Sequence, residues 1–527
     1  MNIKFSIFIL LWGCCGYLTN AANILGLMPL VSPSHHLWNS IVMHKLGELG
    51  HNVTILSVDI PKPGEKIPPN VHYIHLEKGY SIYEAGDVKL NINEFIHVGP
   101  IAGVQLFNDA TVTMADVVLK SKGFQQLLDY PDDFKFDLVI NDFTMGSILL
   151  GFLHKFNYPP LVGISPFPNP PTTIDFMSNH YFPAYVPYYS TMFSSNMNFW
   201  QRLENTLVTI YDTAYRRLIL TPKLDAMARP YFKDMPYLDE LSRRTTVALV
   251  NSHPAINFMD VLPPSVIEVG GLQIRDPKPL SKDLEDFINK SKKGAILFSF
   301  GTNMKGEDFS YEQISTMLNA MAQLPEYNFL WKFDVNYLKK HKIPKNVIVR
   351  PFYAQGDVLA HPKVRAFVTH CGGLSSHEAV WYGVPMIGVP LFVDQHRNLQ
   401  QSLMAGIAVE ISYPTMSTKD IVEGIKKVTE DPKIRANSVT KSKQYRDRPM
   451  KALDTAIWWI EYVLRNPNPS HLSSPAIKMN IFQANALDCL LFIMFVVVLA
   501  FYLVMKILLF AWKLINATNS QKKIKKN

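Results

Sequence analysis

The run Phe367-Val-Thr-His370-Cys-Gly-Gly-Leu-Ser-Ser-His-Glu378 changes character twice within twelve residues. Ala366–Thr369 is apolar and of strand length, His370-Cys371-Gly372-Gly373 is a turn, and a helix is expected from near Ser375. A strand that passes straight into a helix is the repeating step of a parallel α/β sheet. Glycines let the backbone approach a ligand closely, and a helix N-terminus aims free N–H groups and a positive dipole at an anion. A diphosphate fits such a turn.

The neighbouring residues extend that reading. Glu378, about one helical turn on, can accept two hydrogen bonds from a ribose diol. Phe352, with Gln355 three residues later, can stack on and read a planar base. Asp394-Gln395 closes another strand and offers acceptors and donors to sugar hydroxyls. Together they predict a nucleotide-sugar site. G-x-G-x-x-G does not follow the first strand, and G-x-x-x-x-G-K-[ST] occurs nowhere. Dinucleotide hydride transfer and P-loop hydrolysis thereby lose their main support.

Outward from this segment the chain reads as two α/β halves. In the first, Asn23–Leu30 and Asn52–Val58 are strands flanking a helix over His35–Leu49, with Ser34 as its N-cap, and Phe136–Asn141 is a further strand. In the second, strands are expected at Ala295–Ser299, Asn328–Phe333, Val347–Pro351, Ala366–Thr369 and Pro385–Pro390. Leu262-Pro263-Pro264 and Gly270-Gly271 read as the linker. Expected domains are 22–265, 266–445, and a helical and juxtamembrane segment at 446–486. The cleft between the halves faces the carboxyl ends of the strands. Residues 165–193, rich in Pro, Tyr, Phe and Met, suit either a wall for greasy ligands or ordinary packing.

Length and charge set further limits. At 527 residues the chain has room for two or three domains. Of its 52 basic residues, Lys4 and six lysines from Lys506 onward lie in acid-free ends; without these seven, 45 basic face 44 acidic residues. So balanced a body lacks the field of a nucleic-acid binder. Of four cysteines, Cys14 and Cys15 fall in the apolar N-terminal stretch and Cys489 in an apolar C-terminal run. Cys371 alone can build neither an intramolecular disulfide nor a cysteine-rich zinc site within the body.

Residues 1–21 read as a signal peptide. Cys489–Met505 holds 17 uncharged residues, and with Ile507–Trp512 it predicts one membrane span over 487–512. The lysine-rich tail, 513–527, places itself in the cytosol and the body in the lumen. Lys523 and Lys525 stand five and three positions from the end, a spacing similar to the dilysine signal of endoplasmic-reticulum membrane proteins. The expected localisation is therefore that membrane, as a single-pass type I protein.

Residues 350–398 resemble the donor-binding signature of the UDP-glycosyltransferases, and the resemblance runs over the whole chain. Ser34-His35, Asn141-Asp142, Met197–Arg202 and Phe298–Asn303 belong to it, and the flavour is that of insect, membrane-bound members. The resemblance implies a GT-B fold of two Rossmann-like domains facing across a cleft, with one C-terminal transmembrane helix. It also implies a UDP-sugar donor in the C-terminal half, a lipophilic acceptor in the N-terminal half, and neither cofactor nor metal. By the same resemblance His370, Gly372, Gly373, Ser375 and Thr302 match the diphosphate side, Glu378 the ribose, and Phe352 and Gln355 the uracil. Asp394 and Gln395 match the sugar, His35 the catalytic base, and Asp142 its acidic partner. Phe352 stands where Trp is usual, Ala354 where Pro is common, and Leu374 where many members carry Asn.

The implied reaction is a single in-line displacement that inverts the anomeric carbon, with glucose as the favoured sugar. His35 is taken over His36 because the Ser-His pair matches the family and His36 points about 100° away. His377 and His396 are expected to face solvent or line the cleft. Asn52 and Asn289 lie in glycosylation sequons, with Asn289 favoured because Asn52 opens a buried strand. A catalytically silent lipophile-binding member, a partner in self- or mixed oligomers, and a membrane-lipid glycosyltransferase are the other readings.

Overall fold

Strands buried on both faces give near-continuous apolar runs, and such runs pair in parallel with helices above and below. Leu138–Asp142 (LVIND) and Gly294–Ser299 (GAILFS) are buried at every position. The computed structural model describes residues 21–83, 98–177, 180–302, 304, 306–391, 394–467 and 469–524. The expected signal peptide up to residue 20, with Cys14 and Cys15, lies outside them, as do Asn303, Lys525 and Lys526.

The first sheet contains β1 (Asn23–Met28), β2 (Asn52–Ser57), β3 (Val71–His75), β4 (Leu138–Asp142), β5 (Leu161–Ser165), β6 (Thr245–Val250) and β7 (Val266–Glu268). Their order is β3-β2-β1-β4-β5-β6-β7. The second contains β8 (Gly294–Ser299), β9 (Tyr327–Lys332), β10 (Val347–Arg350), β11 (Val364–Thr369), β12 (Met386–Gly388) and β13 (Ala408–Glu410), in the order β10-β9-β8-β11-β12-β13. Every pairing is parallel. Both sheets thus have the doubly wound order, and each reverses direction at one switch point, β1/β4 in the first and β8/β11 in the second.

The helices that bear on the site are α1 (Pro33–Glu48), α2 (Pro100–Leu119), α3 (Phe199–Tyr215), α4 (Gln355–Leu359), α5 (Gly373–Trp381), α6 (Gln395–Met404) and α7 (Ala452–Arg465). α1 starts at Pro33 with Ser32 as its N-cap, two residues before the expected cap at Ser34. Proline's fixed φ and missing N–H suit the first helical position, so Pro33 sets the start.

The expected boundary at 265/266 falls too early. β7 pairs with β6 (Ala248 opposite Val266), so the first sheet runs to Glu268 and Leu262-Pro263-Pro264 is a connection within it. A three-residue strand carries too little pattern to be seen in sequence. The chain also returns: Ala456, Ile457, Ile460 and Val463 of α7 are buried with Ile24, Val53 and Leu138 against the first sheet. Asn52 is exposed although the strand after it is buried, and Asn289 is exposed as well, so burial does not favour one sequon over the other.

α3 is turned inside out. Its inward residues include Asn205, Thr209 and Asp212, whereas Trp200, Leu203, Leu207 and Ile210 are exposed. Asn205 donates to the carbonyls of Pro183 (2.8 Å) and Val186 (2.9 Å), and Asp212 accepts from Asn108 Nδ2 (3.1 Å), which explains the polar inner face.

Residues Ser473–Asn527 form a separate unit dominated by one helix, Leu487–Ile524. Its segment Leu487–Asn519 is long and apolar enough to cross a membrane, so the span expected over 487–512 lies within one continuous helix. Ile460→Ala opens a cavity where α7 meets the first sheet and is expected to cost about 2–5 kcal/mol, read as a lowered midpoint in thermal or urea unfolding.

Candidate functional site

β8 and β11 are neighbours, and the glycine that follows β8 faces the turn that follows β11. Gly301 has φ +82°, and a Cβ there would lie 2.6 Å from the His370 ring. A Cβ on Gly372 would lie 2.4 Å from His370 Nε2. The imidazole is therefore wedged between two glycines, a packing reason for them beyond approach to a ligand. Cys371, at φ +63°, makes the tight turn, and Gly372 caps α5. Burial, with the Lys332 charge adding to it and a Ser299 backbone contact opposing, pushes the His370 pKa down to about 4, and among the described residues no hydrogen bond reaches its Nδ1. The ring is neutral at physiological pH.

Lys332, the last residue of β9, donates from Nζ to the Gly301 carbonyl at 2.9 Å. Burial lowers its pKa, and the Glu378 charge opposes that shift. Sequence reasoning missed this cation. Its signal was a lysine closing an otherwise apolar strand, Asn328-Phe-Leu-Trp-Lys332. Thr302 follows Gly301 and is exposed.

Gln355 opens α4, and its Nε2 donates to Ser375 Oγ (3.0 Å) and Glu378 Oε2 (2.8 Å). The three expected donor residues thus form one hydrogen-bonded group. Burial pushes the Glu378 pKa up to about 7, against the Gln355 hydrogen bond that lowers it. Phe352 is 71% exposed, an open ring face of the kind a base stacks on.

Asp394 precedes α6. Its Oδ2 accepts from Asn398 Nδ2 at 2.8 Å, and the same nitrogen lies 3.0 Å from the Cys371 carbonyl. Burial raises the Asp394 pKa to about 6. A Cβ on Gly373 would lie 3.7 Å from Asp394 Oδ2, so this carboxylate stands at the N-terminus of α5. Gln395 is buried, and its Oε1 accepts from the Leu391 N–H at 2.8 Å, which places its carbonyl in the turn and not in the open cleft. His377 departs from expectation. It is buried, with Nδ1 2.6 Å from the Tyr445 hydroxyl, and burial holds its pKa near 3. An inward residue of α5 must pack, and the tyrosine satisfies it.

At the other switch point His35 occupies the first turn of α1, buried and edge-on to Phe167 with ring centroids 5.0 Å apart. Burial lowers its pKa to about 3, and among the described residues Nδ1 meets no hydrogen-bond partner. His36 turns away, its Nδ1 3.3 Å from Ser57 Oγ. Asp142 ends β4, but its carboxylate is held by Asn39 Nδ2 (2.8 Å) and the Thr144 N–H (3.0 Å), and burial raises its pKa. Asn39 lies one helical turn beyond His35 on α1 and was not foreseen. A buried asparagine at i+4 from a candidate base was the available signal.

Phe167, against which His35 packs, lines a cavity of about 110 Å³ that opens to solvent; Asn141, Phe143 and Thr144 on either side of Asp142 line it too, whereas His35 and Asp142 themselves do not. Phe143, Phe167, Pro168, Pro170, Phe176 and Tyr189 line it, so the stretch 165–193 does supply a greasy wall. Asp394 and Arg397 line it from the second domain. Arg397, also unforeseen, is 4% exposed. Among the described residues no group of three metal-ligating side chains occurs.

Two doubly wound sheets, with a cavity in the first lobe that Asp394 and Arg397 reach from the second, make this a GT-B glycosyltransferase fold. Solved structures agree: glycosyltransferase VinC in complex with DTDP covers 84% of this chain and 99% of its own at TM-score 0.56 and 16% identity. Phytolacca americana UGT2, complexed with UDP-2fluoro-glucose and pterostilbene, covers 84% of this chain and 100% of its own at TM-score 0.55 and 15% identity. The family model for UDP-glucoronosyl and UDP-glucosyl transferase matches residues 92–523. UDP-glycosyltransferase UGT5 of Dactylopius coccus is 32% identical over 485 residues, 90% of this chain and 89% of that protein. Human UDP-glucuronosyltransferase 2B7 is 31% identical over 416 residues, 78% of this chain and 76% of that one. The chain belongs to the UDP-glycosyltransferase family and is an enzyme of the glycosyltransferase type.

A carboxyl whose pKa is raised loses its acceptor capacity as pH falls through that value. Lowering pH from 8 to 6 is expected to reduce kcat/KM for the UDP-sugar roughly tenfold, with the inflection at the Glu378 value of about 7. His35 stays neutral over that range. In Glu378→Gln the inflection should move down toward pH 6, where Asp394 titrates; an unmoved inflection would assign the limb to another group.

Proposed function

We propose that the protein transfers glucose from UDP-glucose to a hydroxyl of small lipophilic acceptors, inverting the anomeric carbon to give a β-glycoside. One observation carries this reading: Asp394 stands at the N-terminus of α5, where the turn from His370 ends, and also lines the apolar cavity whose wall residue Phe167 packs against His35. A sugar held by Asp394 would present its anomeric carbon to an acceptor in that cavity.

In this reading the uracil stacks on Phe352, the Gln355–Glu378 pair takes the base edge and the ribose diol, and free N–H groups at the start of α5 hold the diphosphate beside His370 and Thr302. Lys332 and those N–H groups offset the charge that grows on the departing UDP. His35, neutral through burial, removes the acceptor proton as its oxygen attacks. The imidazolium so formed is stabilised by the charge of Asp142, whose pKa burial raises against the Thr144 and Asn39 hydrogen bonds; the carboxylate is bonded to those two groups, so it acts on His35 through its charge. Neither a metal nor a cofactor enters.

The span within Leu487–Ile524 anchors the protein, and we read the body as lumenal in the endoplasmic reticulum. The exposed apolar face of α3 suits work against a bilayer that concentrates lipophiles. The silent-member reading has the intact His35, Asp142 and Glu378 against it.

UDP release with a panel of phenols is the test. The wild type should turn over faster with UDP-glucose than with UDP-glucuronate and be indifferent to EDTA. His35→Ala should lower kcat by about 10²–10⁴-fold with little change in donor KM. Full turnover by His35→Ala would remove the base, and no turnover by the wild type with any donor would leave the silent member.

A further inference from the structure

Arg397 lines the cavity and has no part in the transfer reaction as proposed. It sits in the first turn of α6, three residues after Asp394, and is 4% exposed. A guanidinium carries five N–H donors and a permanent charge. When buried it is almost always met by carboxylates or carbonyls.

Here, among the described residues, no hydrogen bond and no ion pair within 4.0 Å reaches it, and its Nε is buried without a partner. Every other largely buried arginine near the cavity is satisfied: Arg216, which lines the same space, is bonded to Asp175 at 3.0 Å and to Asp212. The groups facing Arg397 are the Phe258 ring, 5.8 Å from the guanidinium carbon, and more distantly Asp394, Asp260 and Tyr181. Asp394 Oδ2 accepts from Asn398 and Asp260 from Asn169, and neither carboxylate comes within 4.0 Å of the guanidinium nitrogens.

Leaving a buried charge-bearing donor unmade is costly, whereas an Arg–carboxylate pair formed away from water is strong and directional. We infer that Arg397 receives a carboxylate of the ligand bound in the cavity, so that the enzyme favours a substrate bearing an acid group beside the reacting centre. This rests on the transferase reading only for which substrate brings the acid. The acid belongs either to the acceptor, as in a hydroxylated aryl carboxylic acid, or to the sugar, as in a hexuronate. Arg397 does not touch the reacting bond; it selects and orients.

The test is equilibrium binding to the full-length protein in detergent or nanodiscs, with turnover measured separately. The acceptor arm compares a hydroxylated aryl carboxylic acid with its methyl ester in the presence of UDP. The donor arm compares UDP-glucuronate with UDP-glucose. In one arm the wild type should bind the acid at least tenfold tighter than its neutral counterpart.

Arg397→Met should abolish that ratio while UDP itself binds unchanged, and Arg397→Lys should keep part of it, since a lysine retains charge but not the fork. Replacing a buried charge by a residue of similar length is tolerated by folding, and unchanged UDP binding reports an intact variant. A preference in the acceptor arm makes the protein a conjugator of lipophilic acids and keeps glucose as the sugar, whereas one in the donor arm makes it a hexuronosyltransferase and replaces glucose in the proposed function; either supports the role of Arg397. Equal binding of acid and neutral forms in both arms, or a preference that survives Arg397→Met, overturns it. Because binding is read without catalysis, failure here leaves the transferase assignment standing, and a silent enzyme would leave this result readable.

Discussion

One imidazole fills the space between the ends of two adjacent parallel strands. Its ring leaves no room for a Cβ at Gly301 or Gly372, so the backbone on either side stays bare. That bareness exposes the N-terminus of α5 to a ligand. Lys332 binds back to the Gly301 carbonyl, while Asn398 ties the Cys371 carbonyl to Asp394. The turn is held from both sides before any ligand arrives, which is what an electrostatic site requires if reorganisation is not to consume its effect.

The two switch points differ in how their polar groups are satisfied. On the donor side Gln355, Ser375 and Glu378 bond one another, a network that a ribose would have to enter by exchange. On the acceptor side His35 has an unpartnered nitrogen, and Asp142 is occupied by Asn39 and Thr144. His35 and His370 are both kept neutral by burial, as the proposed roles of base and uncharged hydrogen-bonding group require.

Much of this was legible in the sequence. The strand–glycine–helix step at 366–375 and the apolar stretch at 165–193 depend on local composition, and local composition survives folding; Asp394-Gln395, by contrast, opens a helix six residues after the strand ends at Gly388, and Gln395 turns inward. What stayed hidden depends on packing between distant segments. β7 is three residues long and is defined only by its pairing with β6. His377 reads like any polar helix residue until Tyr445 is brought to it. Asn39, Lys332 and Arg397 have no motif around them; burial gives them their meaning. Ser34 was displaced as a cap by its neighbour Pro33, a local effect that the sequence did carry.

α7 has a mechanical consequence. The polypeptide leaves the first sheet after Glu268, builds the second, and comes back to lie on the first through Ile457 and Ile460. The lobes are therefore joined at two separate places. A body fastened twice can rock about the line through its fastenings but cannot twist freely about either. Two fastenings so placed favour a jaw-like swing of the lobes over a twist, and such a swing keeps Asp394 in line with the first sheet.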